Sequence, residues 1–316
     1  MDTATTQTTT PTQTTSPTTT PAGRSRPLSR IIPATSAIEG GGFEVYRPFP
    51  TSALDWLDPF LLLDEMAPNY SEPGRVVGAP AHPHRGFETV TYVIQGEVEH
   101  RDSAGNHGVV GSGDVQWMTA GDGIIHSEMP SARLQTEGGV LHGLQLWVNL
   151  PAALRRTAPT YQALPSDHLA SASGDGWTAE VVAGSMFGVQ GPADTHTPIG
   201  YALLTIQPGT TLQIPTIDGH TAAVYAFGGV GTVGTEGHTL DTNHLAIFER
   251  TAGDIVLGAH ADSHIALDCL VLTGEPIDEP IARYGPFVMN TAAEINQAIA
   301  DFNAGRMGSI PATGTV

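Results

Sequence analysis

The chain has 316 residues, 40% of them hydrophobic, which is enough for one large domain or two of ordinary size. Acidic residues outnumber basic ones 32 to 13, for a formal charge of −19, so the surface repels polyanions and offers no Lys/Arg patch for nucleic-acid phosphates. The one cysteine, Cys269, excludes an internal disulfide, and no stretch reaches the roughly 18 apolar residues of a membrane span.

Residues 1–28 open with Thr, Gln, Pro, Ala and Ser, a composition that cannot bury enough apolar surface to offset chain entropy; a disordered tail is expected there. The N-terminus has neither a basic start nor an apolar core, so no signal peptide is expected and the cytoplasm is the expected compartment. A short buried strand is expected in Asp58–Asp64, then a β-branched and aromatic strand from Phe87 to Ile94, closed by Gly96. Gly105, Gly108, Gly111 and Gly113 mark hairpins, and Val115–Thr119 and Leu144–Val148 read as further strands. Pro151, Pro159 and Pro165 mark a connector, with a domain boundary expected between 155 and 156. Beyond it, Ala202–Ile206, Ala222–Phe227, Leu245–Phe248 and Ile265–Leu272 repeat the same style, so the fold class is all-β with a degenerate internal repeat. Cys269 lies in the last of these runs and reads as a buried, inert thiol.

One helix is predicted. Thr291-Ala292-Ala293-Glu294 has the form of a capping box, Ile295, Ala298, Ile299 and Phe302 form one apolar stripe, and Gly305 supplies a left-handed stop. The helix is expected to pack on a β domain in a purely structural role.

The chemistry points to His82-Pro83-His84 and His126-Ser127-Glu128. In an extended chain, residues two apart share a face, and Pro83 favours an extended conformation. Two such pairs folded together offer three imidazole nitrogens and a carboxylate, a set suited to iron, manganese, cobalt, nickel, copper or zinc. Strand parity also puts Glu88 on the face of His84, as a ligand, a partner orienting a histidine, or a solvated rim residue; spacing does not choose between Glu88 and Glu128. Other polar residues have plainer readings. His142 and Gln145 read as packed, hydrogen-bonded core, His100 and His107 as solvated near a turn, and Phe87, Trp117 and Met118 as barrel core. Arg85 is read as an anchor for a carboxylate at a cleft mouth. His220, His260 and His264 read as surface or turn histidines, so no metal is expected in the second half.

The run His82–Val90 resembles the signature of the pirin family, part of the cupin superfamily, and so do Gly113–Pro130, His142–Pro151, Glu279–Asn290 and Asp301–Arg306. The resemblance implies a bicupin: two double-stranded β-helix (jelly-roll) barrels, 29–155 with a metal and 156–308 without, plus the short C-terminal helix. It implies His82, His84, His126 and Glu128 as the ligands, which selects Glu128 over Glu88, and Fe(2+) as the metal. It further implies an oxygen-dependent quercetin 2,3-dioxygenase with a small aromatic flavonol as substrate and Glu128 as general base. The alternative it carries is a metal- or redox-responsive regulator that binds a partner protein without turnover. A monomer that touches neither membrane nor nucleic acid is expected.

Overall fold

A computed structural model describes residues 24–311. It is built almost entirely of β-strands, arranged as two similar halves, each with a seven-stranded and a four-stranded sheet. In the first half the large sheet runs, in spatial order, Thr160–Leu164, Val115–Thr119, Phe87–Gln95, His142–Asn149, Phe60–Met66, Phe43–Phe49 and Thr35–Glu39. Its small sheet runs Ala79–His84, Ile124–Pro130, Val98–Asp102 and His107–Val110. The second half repeats the plan, with Leu28–Pro33, His244–Phe248, Thr221–Gly228, Leu267–Gly274, Ile199–Ile206, Trp177–Ala183 and Ala170–Gly174 as the large sheet. Thr211–Ile214, Ile255–Ala259, Gly231–Val233 and His238–Leu240 form the facing small one.

The two large sheets pack back to back. Alternate residues of one strand serve different cores, because successive side chains point to opposite faces. Tyr201 and Leu203 join Val90, Trp117, Leu144 and Leu146 in the core between the halves. Their neighbours Ala202, Leu204 and Ile206 turn inward to fill the second barrel with Val224, Leu257 and Val271. A strand buried on both faces has no polar alternation, which is why these segments read as continuous apolar runs. Cys269 is one of the inward residues of the second barrel and is fully buried.

The expected domain limits are crossed twice. Thr160–Leu164, beyond the expected boundary, pairs with Val115–Thr119 of the first large sheet. Leu28–Pro33, before it, pairs with His244–Phe248 of the second. Most of the expected tail lies outside the described residues, but its last part is ordered on the second barrel. The Arg26 guanidinium is fully buried and donates to the carbonyls of Ile217, His220 and Gly253. Three fixed carbonyls satisfy a charge that composition alone assigns to solvent.

After the second barrel closes at Gly274, the chain returns to the first. There it forms a hairpin, Ala282–Tyr284 with Phe287–Met289, and the helix Ala292–Asn303. The predicted capping box is present: Thr291 accepts from the Glu294 amide and Glu294 accepts from the Thr291 amide. At the other end Gly305 takes φ +72°, and the amides of Gly305 and Arg306 bond back to Phe302 and Asp301, the Schellman arrangement. Ile295 and Ala298 pack with Phe287, Met289 and Met307, while Phe302 stays at the edge, 37% exposed. No helix among the described residues is long and apolar enough to cross a membrane.

Candidate metal centre

The Ala79–His84 strand lies at the edge of the small sheet, where Pro80 and Pro83 cost no ladder bond. It pairs with Ile124–Pro130 so that His126 sits opposite His82 and Ile124 opposite His84. Directly opposed residues of an antiparallel pair share a face, so His82, His84 and His126 meet inside the first barrel. His82 Nε2 lies 3.0 Å from both His84 Nε2 and His126 Nε2. All three rings offer a nitrogen within 4.8 Å of the others.

The other ring nitrogens show what this cluster can hold. His82 Nδ1 is 2.7 Å from the Pro80 carbonyl, and His84 Nδ1 is 3.4 Å from the Pro286 carbonyl. A carbonyl only accepts, so both Nδ1 atoms carry the hydrogen and both Nε2 atoms keep a bare lone pair. Lone pairs facing each other at 3.0 Å repel unless a cation lies among them. Burial, reinforced by the neighbouring imidazoles, pushes His84 and His126 well below the usual histidine range, so neither ring supplies that cation by protonation near neutrality. Neutral imidazoles converging through Nε2 are the form in which histidine binds a metal, and the donor set fits one.

Glu128 is in the same cavity but not in the three-histidine cluster. A β-bulge between His126 and Glu128 places Glu128 opposite Ala79, and its carboxylate reaches across to the large sheet. There Oε1 accepts from Thr91 Oγ1 at 2.8 Å and from Gln116 Nε2, and Oε2 accepts from Gln145 Nε2 at 2.8 Å. Gln145, read from sequence as hydrogen-bonded core, is thus a direct partner of Glu128. Thr91 and Gln116 escaped the sequence reading; the sheet register puts them on the face of Gln145, since Gln116 and Gln145 both stand opposite Thr91.

The cavity has a volume of about 870 Å³. Phe43, Leu62, Trp147 and Val288 form apolar walls, His82, His84 and Glu128 lie at its polar end, and Arg47, Arg283 and Tyr284 stand at the rim. The Trp147 ring packs edge-on against His84, 5.1 Å between centroids, and against Phe87. Phe87, Trp117 and Met118 are all fully buried, Trp117 in the core between the halves.

Several expectations need correction. Glu88 is neither a ligand nor a rim residue. The chain turns at Gly86 (φ +90°) from the small sheet into the large one, so parity does not carry from His84 to Glu88. Glu88 is fully buried between the halves and accepts from Thr119 Oγ1 and His196 Nδ1, each at 2.8 Å. His100 is not solvated: it is fully buried, 3.2 Å from Asp102 Oδ2, with its ring stacked on Tyr161. Its place opposite Glu128 on the inward face removes it from water. His107 is exposed and pairs with Glu99. His142 is a packed residue bonded to Glu65, which also accepts from Tyr225 of the second barrel. Arg85 does anchor a carboxylate, but an internal one. It is buried and pairs with Asp301 of the C-terminal helix at 2.6 Å. Arg85 is the foremost group holding the Asp301 carboxyl below its ordinary range, with Arg306 and Gln297 adding to it. That helix therefore has a partner in the residue next to His84, a link its apolar stripe did not announce. His220 and His260 are half-buried in turns and His264 is exposed.

Comparison with known proteins follows the same division. The pirin family model matches residues 42–148, and the model of the pirin C-terminal cupin domain matches 201–308. Human pirin is 40% identical over 276 residues, covering 85% of this chain and 90% of its own. A pirin-like protein of tomato (Solanum lycopersicum) is 40% identical over 271 residues, covering 85% of this chain and 89% of its own. The crystal structure of a quercetin 2,3-dioxygenase from Acinetobacter baumannii superposes with a TM-score of 0.84 at 39% identity, covering 91% of this chain and all of that one. With both halves matched and relatives aligned along most of their length, the chain belongs to the pirin family of cupin proteins.

Proposed function

We propose that the chain is an iron-dependent dioxygenase acting on quercetin-like flavonols, with His82, His84, His126 and Glu128 as metal ligands and Glu128 as general base. The observation that carries this reading is the convergence of three Nε2 atoms at one end of a large cavity, with the opposite nitrogens of His82 and His84 committed to backbone carbonyls. Three imidazoles and a carboxylate suit iron(II), with manganese, cobalt, nickel, copper and zinc as chemically related occupants. Bound there, such a metal supplies a Lewis acid that favours the ionised flavonol and brings it together with dioxygen.

The chain's own groups do the rest. The cavity volume of about 870 Å³ falls within the range of about 300–1,000 Å³ that encloses a small organic ligand. Its apolar walls suit the faces of a flat aromatic, and the rim of Arg47, Arg283 and Tyr284 suits peripheral hydroxyls. Glu128 faces the same space, and the partners found on it all donate, so its carboxylate is presented as an acceptor for the flavonol hydroxyl proton. It would also be the fourth residue to hold the metal. The solved relative named as a quercetin 2,3-dioxygenase supports the choice of substrate class.

The test is flavonol turnover by iron-loaded protein with and without oxygen. Loss of quercetin absorbance in air alone, abolished in His82→Ala, is the expected outcome. Absence of oxygen-dependent loss in protein shown to carry iron overturns the enzymatic reading. A partner protein retained only by the metal-loaded form would then favour the regulator.

A further inference from the structure

We infer that the C-terminal segment Ile281–Met307 is a working part of the metal centre, with Asp301 as a positioning residue that acts on His84 through Arg85. The inference rests on the proposed metal site and concerns what holds it in shape.

The segment clamps His84–Gly86 through both backbone and side chain. The Pro286 carbonyl lies 3.4 Å from His84 Nδ1 and also accepts the Arg85 amide at 3.4 Å. The Val288 amide returns a bond to the Arg85 carbonyl at 3.0 Å. Arg85 itself donates Nε to the Asp122 carbonyl and Nη1 to Asp301, both at 2.6 Å. Gly86 leaves no slack, because a Cβ there would sit 1.8 Å from the Val288 carbonyl oxygen. The same segment lines the cavity through Tyr284, Pro286 and Val288.

This arrangement does something a simple helix dock does not. The Pro286 carbonyl fixes both the orientation and the tautomer of His84, so that its Nε2 lone pair points into the cluster. A histidine ligand held this way loses affinity for its metal when the holding group moves. Asp301 is the near carboxylate that ties the helix to Arg85; removing it leaves a guanidinium only 3% exposed with the Asp122 carboxylate, at 3.7 Å, as its remaining charge partner.

Cobalt(II) provides the probe, because its visible absorption reports the geometry of the ligands directly. Full-length wild type, Asp301→Ala, Asp301→Asn and Thr291→Ala would be titrated with Co(II). Thr291→Ala removes the helix N-cap without touching Arg85, and so reports what mere loosening of the helix does. Asp301→Asn is isosteric and keeps the test open should the alanine variant fold poorly. The expected result is a loss of Co(II) affinity of about 10–100-fold and an altered absorption band in both Asp301 variants, with Thr291→Ala close to wild type. Wild-type affinity and spectrum in both Asp301 variants would overturn the inference, and so would an equal loss in Thr291→Ala. Failure of the wild type itself to bind Co(II) would instead remove the metal centre, and this inference with it.

Discussion

The two barrels share one plan and differ in what fills them. The second is closed by aliphatic side chains, among them Val181, Leu204, Val224, Leu257 and Val271, all at most 1% exposed. In the first, the corresponding space between large and small sheet holds His82, His84, His126 and Glu128 with Thr91, Gln116 and Gln145 around them. Both large sheets are tied together on their outer faces by a common apolar core. That core lets one barrel interior be polar, because the fold does not depend on filling it with hydrocarbon. The second barrel contributes its own packed interior as added stability.

The comparison breaks most sharply at Glu128. Replacing it with Gln keeps one acceptor oxygen for Thr91 and Gln116, turns an amide toward the Gln145 side and removes the base, so kcat for flavonol turnover is expected to fall by about 10²–10⁴. Wild-type kcat in a Glu128→Gln protein with normal metal content would exclude it as the base. Next comes the second barrel. Leu257→Ala opens a cavity in a fully buried interior and is expected to cost about 2–5 kcal/mol in urea unfolding, with Co(II) affinity unchanged. A parallel drop in metal affinity would show that the barrels are not separable in the way their interiors suggest. Gln145→Leu should do the reverse on a smaller scale, lowering turnover about tenfold while leaving the unfolding midpoint nearly in place, since it removes one donor to Glu128.

Much of this architecture could be read from sequence because it is written locally. Apolar runs mark strands buried on both faces, and the Thr291–Glu294 box and Gly305 mark the helix ends by residues that contact their own neighbours. The pairs His82/His84 and His126/Glu128 were legible for the same reason, each being two residues on one strand. What escaped depends on contacts distant in the chain. Arg85 and Asp301 are 216 residues apart, and Arg26 finds its carbonyls about 190 to 230 residues away. Glu88 was misplaced by an argument that holds only along one unbroken strand, and Gly86 breaks it. His100 was misread because a turn nearby says nothing about the face on which a residue lies.

The smallest expected effect lies where the two halves touch. Glu88 of the first barrel accepts from His196 in the loop before Ile199–Ile206 of the second half, and that hydrogen bond raises the His196 pKa above its ordinary value against the opposing effect of burial. Asp194 adds to the rise, and Thr119 shares the carboxylate. A base whose folded pKa exceeds its unfolded value binds its proton more tightly when folded. Its contribution is therefore complete below the unfolded value of about 6.5 and is lost as pH rises through the folded value. Because His196 is partly exposed, solvent screens the pair and the effect is modest. The wild type should exceed Glu88→Gln in thermal midpoint by about 1–2 °C at pH 6, and the gap should close by pH 9, where the imidazole is neutral in both. A gap that does not change with pH would mean that Glu88 holds the halves together by packing and neutral hydrogen bonds alone. The link between the barrels would then be as insensitive to protonation as the apolar core beside it.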